Sequence, residues 1–140
     1  MDTRLATPLR VLQVALGLTA TLAGLDKFFN LLADWGSYVS PGIAAVLPIS
    51  LPALMGIVGI VEIAVGASIL AIAPRIGAYV ASAWLLLVAV NLLIAAHFDV
   101  AVRDVVMSLA AFTVARAIEV RDHARAFSAS ARSSTRTVTA

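Results

Sequence analysis

The stretch His97-Phe98-Asp99-Val100-Ala101-Val102-Arg103-Asp104 decides the fold of this chain, because it places a cluster of ionisable residues between two apolar runs. The runs cover residues 76–96 before it and 105–115 after it. Ionisable groups near lipid are costly and usually face a bundle interior or a water-filled cavity, where they pair. The stretch is therefore the first place to look for function. The alternative interpretation is a hydrated turn at the bilayer surface, with Asp99 capping the next helix.

The composition predicts a membrane protein. Of the 140 residues, 61% are hydrophobic and 13% are charged, whereas a soluble domain carries roughly 25% charged residues. The chain has no cysteine, which excludes disulfides, thiolate nucleophiles and thiolate zinc sites within it. Only two histidines occur, His97 and His123. We therefore expect no metal site and no cofactor held by the chain alone.

Four apolar segments are long enough, or nearly so, to cross a bilayer core of ~30 Å. They predict an all-α integral membrane protein, an antiparallel four-helix bundle within residues 1–118. The remaining residues 119–140 predict a basic cytoplasmic tail, helical to about Phe127 and disordered at its end. A cleaved signal peptide is the alternative for the first segment. The predicted spans are about residues 9–32, 52–73, 76–96 and 101–118.

The first connection, residues 33–51, predicts a short interfacial helix on the outer membrane surface. Ser40 is suited to the N-cap position and Pro41 to the first helical position, while Pro48 ends the segment. Trp35 is an aromatic residue typical of the headgroup region. This connection should therefore lie along the membrane rather than cross it.

Glu62 is the most unusual residue of the second span. It stands ten residues after Pro52, about 15 Å deep and near the bilayer centre. No basic residue lies within four positions of it, so its partner comes from another helix or the carboxyl is protonated. Gly59 and Gly66 share its face and would let a neighbouring helix approach closely. A purely structural role for Glu62 is the alternative.

The arginine distribution predicts the topology. Cations in the N-terminal segment, at Arg75 and in the tail place both termini and the 74–75 turn in the cytoplasm. One set of polar residues then lies near the outer side, with Glu62 deeper, and we call these eight residues the polar cluster. Its members are Asp26, Lys27, Glu62, Asn91, His97, Asp99, Arg103 and Asp104.

Within the polar cluster, Arg103 is expected to bridge acids of other spans, Asp26 and Glu62, with Asp99 or Asp104 as its local partner. Asn91 is expected to make hydrogen bonds between helices. Lys27 alone has a simpler interpretation, in which its side chain extends to the interface. Because four acids face two bases among the ionisable members, we expect Glu62 to be protonated.

Three pieces of the sequence, in this order and topology, resemble the DoxX-like family of small four-helix bacterial membrane proteins over about residues 9–118. They are Ala23-Gly24-Leu25-Asp26-Lys27-Phe28, Gly59-Ile60-Val61-Glu62-Ile63-Ala64-Val65-Gly66 and Phe98-Asp99-Val100-Ala101-Val102-Arg103-Asp104. The resemblance implies a multi-pass protein of the bacterial inner membrane that takes part in a membrane-associated redox system. Some members resemble a subunit of thiosulfate:quinone oxidoreductase, and others look like partners of secreted oxidative-stress enzymes. The absence of cysteine argues against sulfur chemistry by this chain alone.

Three functions are compatible with the sequence. The first is a non-catalytic membrane subunit or scaffold that docks a redox partner, which makes the chain an accessory subunit rather than an enzyme by itself. The second is a quinone-linked oxidoreductase subunit, with the polar cluster at the quinone headgroup and Glu62 exchanging protons. The third is a small-solute or proton transporter, which the lack of a visible inverted repeat weakens. The expected partners are the lipid bilayer, a protein and a second copy of the chain; nucleic acid is not among them.

Overall fold

The computed structural model describes the backbone of residues 3–138 and the side chains of residues 5–130, and all regular structure in this part is helical. A 3-10 turn at Trp35–Tyr38 precedes the second helix, and a π-helical segment, Ser68–Ile72, extends the third. The all-helical prediction is confirmed. The helices are α1 (Thr3–Asp26), α2 (Pro41–Val46), α3 (Leu51–Ala67), α4 (Pro74–Ile94) and α5 (Phe98–Val138).

Three stretches of the described chain are long and apolar enough to cross a membrane, judged by length and composition. They are Leu5–Asp26, Leu51–Ile72 and Pro74–Ile94. The second and third agree closely with the predicted spans 52–73 and 76–96. These three helices indicate a membrane protein. The connection between the last two consists of Ala73 alone.

The predicted fourth span, residues 101–118, lies inside α5 but is not among these three stretches. Ionisable residues stand at both ends of this part of the helix, with Arg103 and Asp104 at one end and Arg116 at the other. The backbone remains helical to Val138, well past Phe127, and no glycine or proline interrupts it. The side chains of Arg4, Arg132 and Arg136, on which the predicted topology partly depends, lie outside the described residues.

Helix α1 ends at Asp26, six residues before the apolar run that predicted it. The Asp26 carboxylate accepts hydrogen bonds from the amides of Leu31 and Leu32 at 2.9 Å each and from Trp35 Nε1 at 2.8 Å. Asn30 has a φ of 51°, a left-handed conformation that asparagine tolerates. The chain therefore turns back over the helix end, because a carboxylate acceptor outweighs the apolar character of residues 27–32.

Helices α1 and α3 pack antiparallel at two pairs of glycines. A Cβ built on Gly59 would lie 2.7 Å from the carbonyl oxygen of Gly24, and one built on Gly66 would lie 2.7 Å from that of Gly17. Each pair is about two helical turns from the other on both helices. The prediction that Gly59 and Gly66 admit a neighbouring helix is confirmed, and that neighbour is α1.

The core between the long helices is built largely from small side chains. Ser108 Oγ donates to the carbonyl oxygen of Ser82 at 2.8 Å, and the two hydroxyls lie 3.1 Å apart, which joins α4 to α5. As expected, Ser108 and Ala111 continue the buried face of Asp104. All four long helices contribute to the main buried cluster, which contains Leu16, Val65, Ile69, Ala78, Ala81, Ala111, Val114, Ala115 and Ile118.

Candidate functional site

Lys27 and Glu62 form an ion pair between α1 and α3. Lys27 Nζ lies 2.5 Å from Glu62 Oε2, and the two side chains are only 5% and 15% exposed. The β-carbon of Lys27 lies 3.3 Å from where a Cβ on Gly59 would be, so its side chain crosses α3 at the glycine contact. The interpretation that Lys27 extends to the interface is wrong, because the close glycine contact directs it inward. Glu62 thus has a partner from another helix, which is one of the two predicted alternatives, and its protonation stays a prediction.

Trp35 covers the Lys27 ammonium. Lys27 Nζ stands 3.8 Å from the centre of the indole ring, a cation–π contact. The indole nitrogen of Trp35 in turn donates to Asp26. Asp26 and Lys27 are therefore connected through Trp35.

The expectation that Arg103 bridges Asp26 and Glu62 is wrong. Arg103 Nε instead lies 3.1 Å from Oδ1 of its neighbour Asp104, with the arginine side chain 60% exposed and the aspartate 8% exposed. Asp104 is thus the local partner. The two distant acids are already engaged by Trp35, backbone amides and Lys27, because α1 rather than α5 approaches α3 at the glycine contact.

Asn91 binds the first connection instead of another helix. Its Nδ2 donates to the carbonyl oxygen of Tyr38 at 2.8 Å, and its Oδ1 accepts from the amide of Ser40 at 3.0 Å. The expectation of hydrogen bonds between helices is therefore corrected to contacts between α4 and a loop. Helix α2 begins at Pro41 as predicted, although the hydroxyl of Ser40 makes no capping hydrogen bond.

His97 and Asp99 lie at the start of α5. His97 Nε2 is 3.2 Å from the carbonyl oxygen of Ser37, and its ring meets that of Tyr38 edge-on at 5.1 Å between centroids. Asp99 is exposed and lies in the first turn of α5, which begins at Phe98. It is therefore inside the helix rather than at the predicted cap position.

A cavity of about 760 Å³ lies between the long helices and the first connection. Five members of the polar cluster line it, whereas Asp26, His97 and Asp99 do not. Trp84 and Met107 also line the cavity, and Trp84 Nε1 has no hydrogen-bond partner among the described residues. The lining members of the polar cluster are Lys27, Glu62, Asn91, Arg103 and Asp104.

The charges that line the cavity balance. By formal charge Lys27 and Arg103 are cations and Glu62 and Asp104 are anions, and no other aspartate, glutamate, lysine or arginine of the described residues lines the cavity. The rest of the wall is mainly apolar, with contributions such as Leu16, Val65 and Leu85. An amphipathic molecule with an uncharged polar head and an apolar body fits this distribution, because the formal charges of the wall sum to zero and require no counter-ion.

A separate polar contact joins α4 and α5 outside the cavity. Tyr79 Oη donates to Glu119 Oε2 at 2.9 Å, and Arg116 Nη1 lies 2.6 Å from the same oxygen. The hydrogen bond from Tyr79 and the charge of Arg116 lower the pKa of Glu119 below the usual glutamate value. This contact was not predicted. The spacing of Arg116 and Glu119 by three positions is nevertheless typical of an ion pair within a helix, whereas nothing local indicates Tyr79.

No group of three or more histidine, aspartate or glutamate side chains in the described part of the chain is placed to hold a metal ion. Comparison of the sequence and the structure with models of protein families, curated proteins and solved structures finds no match. The fold and the site thus define a class only: an all-helical protein with three candidate membrane spans and an amphipathic cavity between its helices.

Proposed function

We propose that α1, α3, α4 and the first half of α5 cross the membrane as an antiparallel four-helix bundle. The shared core of all four helices supports this proposal. The buried face of α5, formed by Asp104, Ser108 and Ala111, gives the fourth helix a polar side that points away from lipid. Residues 105–115 of α5 contain no ionisable side chain, so the lipid-facing part of this span is apolar.

The proposed location is the bacterial inner membrane, with both termini in the cytoplasm. The arginine distribution and the resemblance to the DoxX-like family support it. The 74–75 turn then faces the cytoplasm, and the first connection, with α2, lies on the outer surface. The mouth of the cavity next to this connection therefore faces outward.

The proposed function is an accessory membrane subunit of a redox complex whose cavity holds the headgroup of a lipid-soluble quinone. The observation that carries it is the cavity, whose volume of about 760 Å³ is that of a small-molecule site. Its balanced charges and apolar walls fit an uncharged polar ring with an apolar tail. A bound quinone would supply two-electron, two-proton redox chemistry at this place.

The side chains that line the cavity include hydrogen-bond donors for the carbonyl oxygens of a quinone ring. Lys27 and Arg103 carry N–H donors that can bind a carbonyl oxygen. The unpartnered indole N–H of Trp84 is a further donor at the wall. The carboxylate of Glu62, paired with Lys27, is the group that we propose to exchange protons with the ring.

A scaffold that docks a partner protein without a ligand is the second candidate. It is favoured by the distal part of α5, where residues 122–130 are all exposed. Phe127 in this part is 80% exposed, and an exposed aromatic residue is typical of a contact site for another protein. The first candidate predicts that quinone is purified with the protein, and the second predicts that a partner protein is purified with it instead.

The test is purification from native membranes, followed by solvent extraction and measurement of quinone per chain. Ala20 lines the cavity, whereas Ala15 lies on the exposed face of the same helix, which makes a matched pair. We expect about one quinone per chain in the wild type and in Ala15→Phe, and severalfold less in Ala20→Phe, because the added ring fills the cavity. A stoichiometric protein partner without quinone would support the scaffold, and the absence of both would refute both candidates.

A further inference from the structure

The connection between α1 and α3 forms one wall of the cavity. We call residues 30–47 of this connection the lid. Helices α3 and α4 are separated by Ala73 alone, and α4 and α5 by three residues, so the lid is much the longest link between the long helices. It lies where Lys27 and Asn91 meet the first connection. The lid residues that line the cavity are Leu32, Ala33, Trp35, Tyr38, Val39 and Ile43.

Apart from Ser40, which is 0% exposed, the lid is weakly packed. None of the residues in the 3-10 turn or in α2 is buried, although both contribute to the cavity wall. Val46 is 83% exposed, and its neighbour Ile43 is 38% exposed. Segments with few buried apolar contacts open at lower free energy than the core of the same protein. The position of the lid therefore depends on the specific contacts that attach it.

These contacts come from side chains at three places around the cavity. Asp26 holds the first part of the lid through two amides and Trp35. Asn91 holds the middle part through the backbone of Tyr38 and Ser40. His97 adds a hydrogen bond to Ser37 and a ring contact with Tyr38. Asp26 lies next to the lid in sequence, whereas Asn91 and His97 attach it to a different part of the molecule.

We infer that residues 30–47 are a lid that opens the headgroup end of the cavity to the aqueous side, with Asp26 at its hinge and Asn91 as its latch to α4. Because Trp35 belongs to the lid, opening also uncovers the Lys27 ammonium and its ion pair with Glu62. The net contribution of the latch hydrogen bonds is modest, so the open form is a minor population within thermal reach. The inference rests on the proposed function and deepens it, since an opening lid gives water and protons a route to the headgroup of the proposed quinone.

The experiment measures the rate at which a charged, membrane-impermeant thiol reagent modifies a single cysteine in the cavity of the purified protein in lipid vesicles. The chain has no native cysteine, so one reporter suffices. Val88 lines the cavity on α4, and Val88→Cys changes its volume little. We expect slow modification, and an acceleration of about tenfold on adding Asn91→Ala, the ratio that the net contribution of one or two hydrogen bonds predicts.

Three controls separate opening from other effects. Val90→Ala alters the exposed neighbour of Asn91 and should leave the rate unchanged. Gly42→Cys, whose added Cβ meets nothing within 4 Å, should react at the same fast rate with or without Asn91→Ala. Val114→Cys, at a position that is 0% exposed and outside the cavity lining, should stay unmodified and so reports global unfolding.

A second variant keeps the test decisive if Asn91→Ala unfolds the protein. His97→Ala removes the contacts to Ser37 and Tyr38 from a half-buried position and should accelerate Val88→Cys by a smaller factor. Equal rates in Val88→Cys alone and in Val88→Cys combined with a folded latch variant would overturn the lid. Fast modification of Val88→Cys alone would overturn it as well. The measurement needs no ligand, so a failure of the quinone proposal and a failure of the lid give different results.

Discussion

At the residue scale, two neighbouring residues at the end of α1, Asp26 and Lys27, have different roles in the site. Asp26 ends the helix and holds the turn, whereas Lys27 points into the protein and neutralises Glu62. A buried charge that loses its partner is left without water or counter-charge, which costs about 3–5 kcal/mol. Replacing both partners by apolar residues avoids that loss. The pair therefore offers a clear test of the geometry.

We predict that Lys27→Met lowers the thermal midpoint in detergent strongly, because it strands the carboxylate of Glu62. The double variant Lys27→Met with Glu62→Leu should recover most of the lost midpoint, since no charge is then unpaired. Arg125→Ala, which removes an exposed cation from α5, is the control and should change the midpoint little. A single variant as stable as the wild type would show that the pair does not form.

At the element scale, the contact of α1 with α3 positions the site. Lys27 follows Gly24 by one turn, and Glu62 follows Gly59 by one turn, so the glycine contact sets the distance between the charged groups. With any larger side chain at these positions the helix backbones would stand farther apart. The geometry of the ion pair and of the cavity wall therefore depends on glycines, which have no side chain to take part in the chemistry.

We predict that Gly59→Ala destabilises the protein by about 1–3 kcal/mol, because its methyl group would meet the Gly24 carbonyl oxygen at 2.7 Å. The matched control is Gly56→Ala on the same helix, whose nearest neighbour is a Phe28 ring atom at an ordinary 3.8 Å. It should be neutral or gain about 0.5–1 kcal/mol, since alanine favours helix over glycine. Thermal midpoints of the two variants, measured side by side, give the answer, and equal midpoints would contradict the close packing.

At the scale of the whole molecule, the proposed topology connects the cavity to one side of the membrane. The lid, Asn91 and His97 meet at the end of the helices opposite Ala73 and Arg75. If arginines mark the cytoplasmic side, the lid faces outward, and water, protons or a partner protein reach the site from there. Reversal of the orientation would place the same geometry on the cytoplasmic side and change the proposed partner.

We predict that a cysteine at Ser37 is labelled by an impermeant thiol reagent in intact cells and that a cysteine at Ser134 is not. Ser37 is exposed in the lid, and Ser134 lies in the arginine-containing tail. Both positions should react after the cells are opened, which controls for the reactivity of each thiol. Labelling at Ser134 but not at Ser37 in intact cells would reverse the assignment.

The sequence by itself determined the helical architecture, the positions of α3 and α4 to within about two residues, the start of α2 at Pro41 and the residues worth inspecting. These properties follow from local signals, namely hydropathy along the chain, proline positions and glycine spacing. Local signals also offered Asp99 or Asp104 as the local partner of Arg103, and the structure selects Asp104. They did not reveal the early end of α1, because a carboxylate cap is invisible to a hydropathy pattern.

Only the tertiary structure decided which polar residues meet. Lys27 rather than Arg103 pairs with Glu62, Asn91 binds a loop rather than a helix, and Asp26, His97 and Asp99 lie outside the cavity lining. The physical reason is that contacts between helices depend on their rotation about their own axes and on their separation. In this protein the glycine contacts between α1 and α3 set both, and no property of a single segment contains that information.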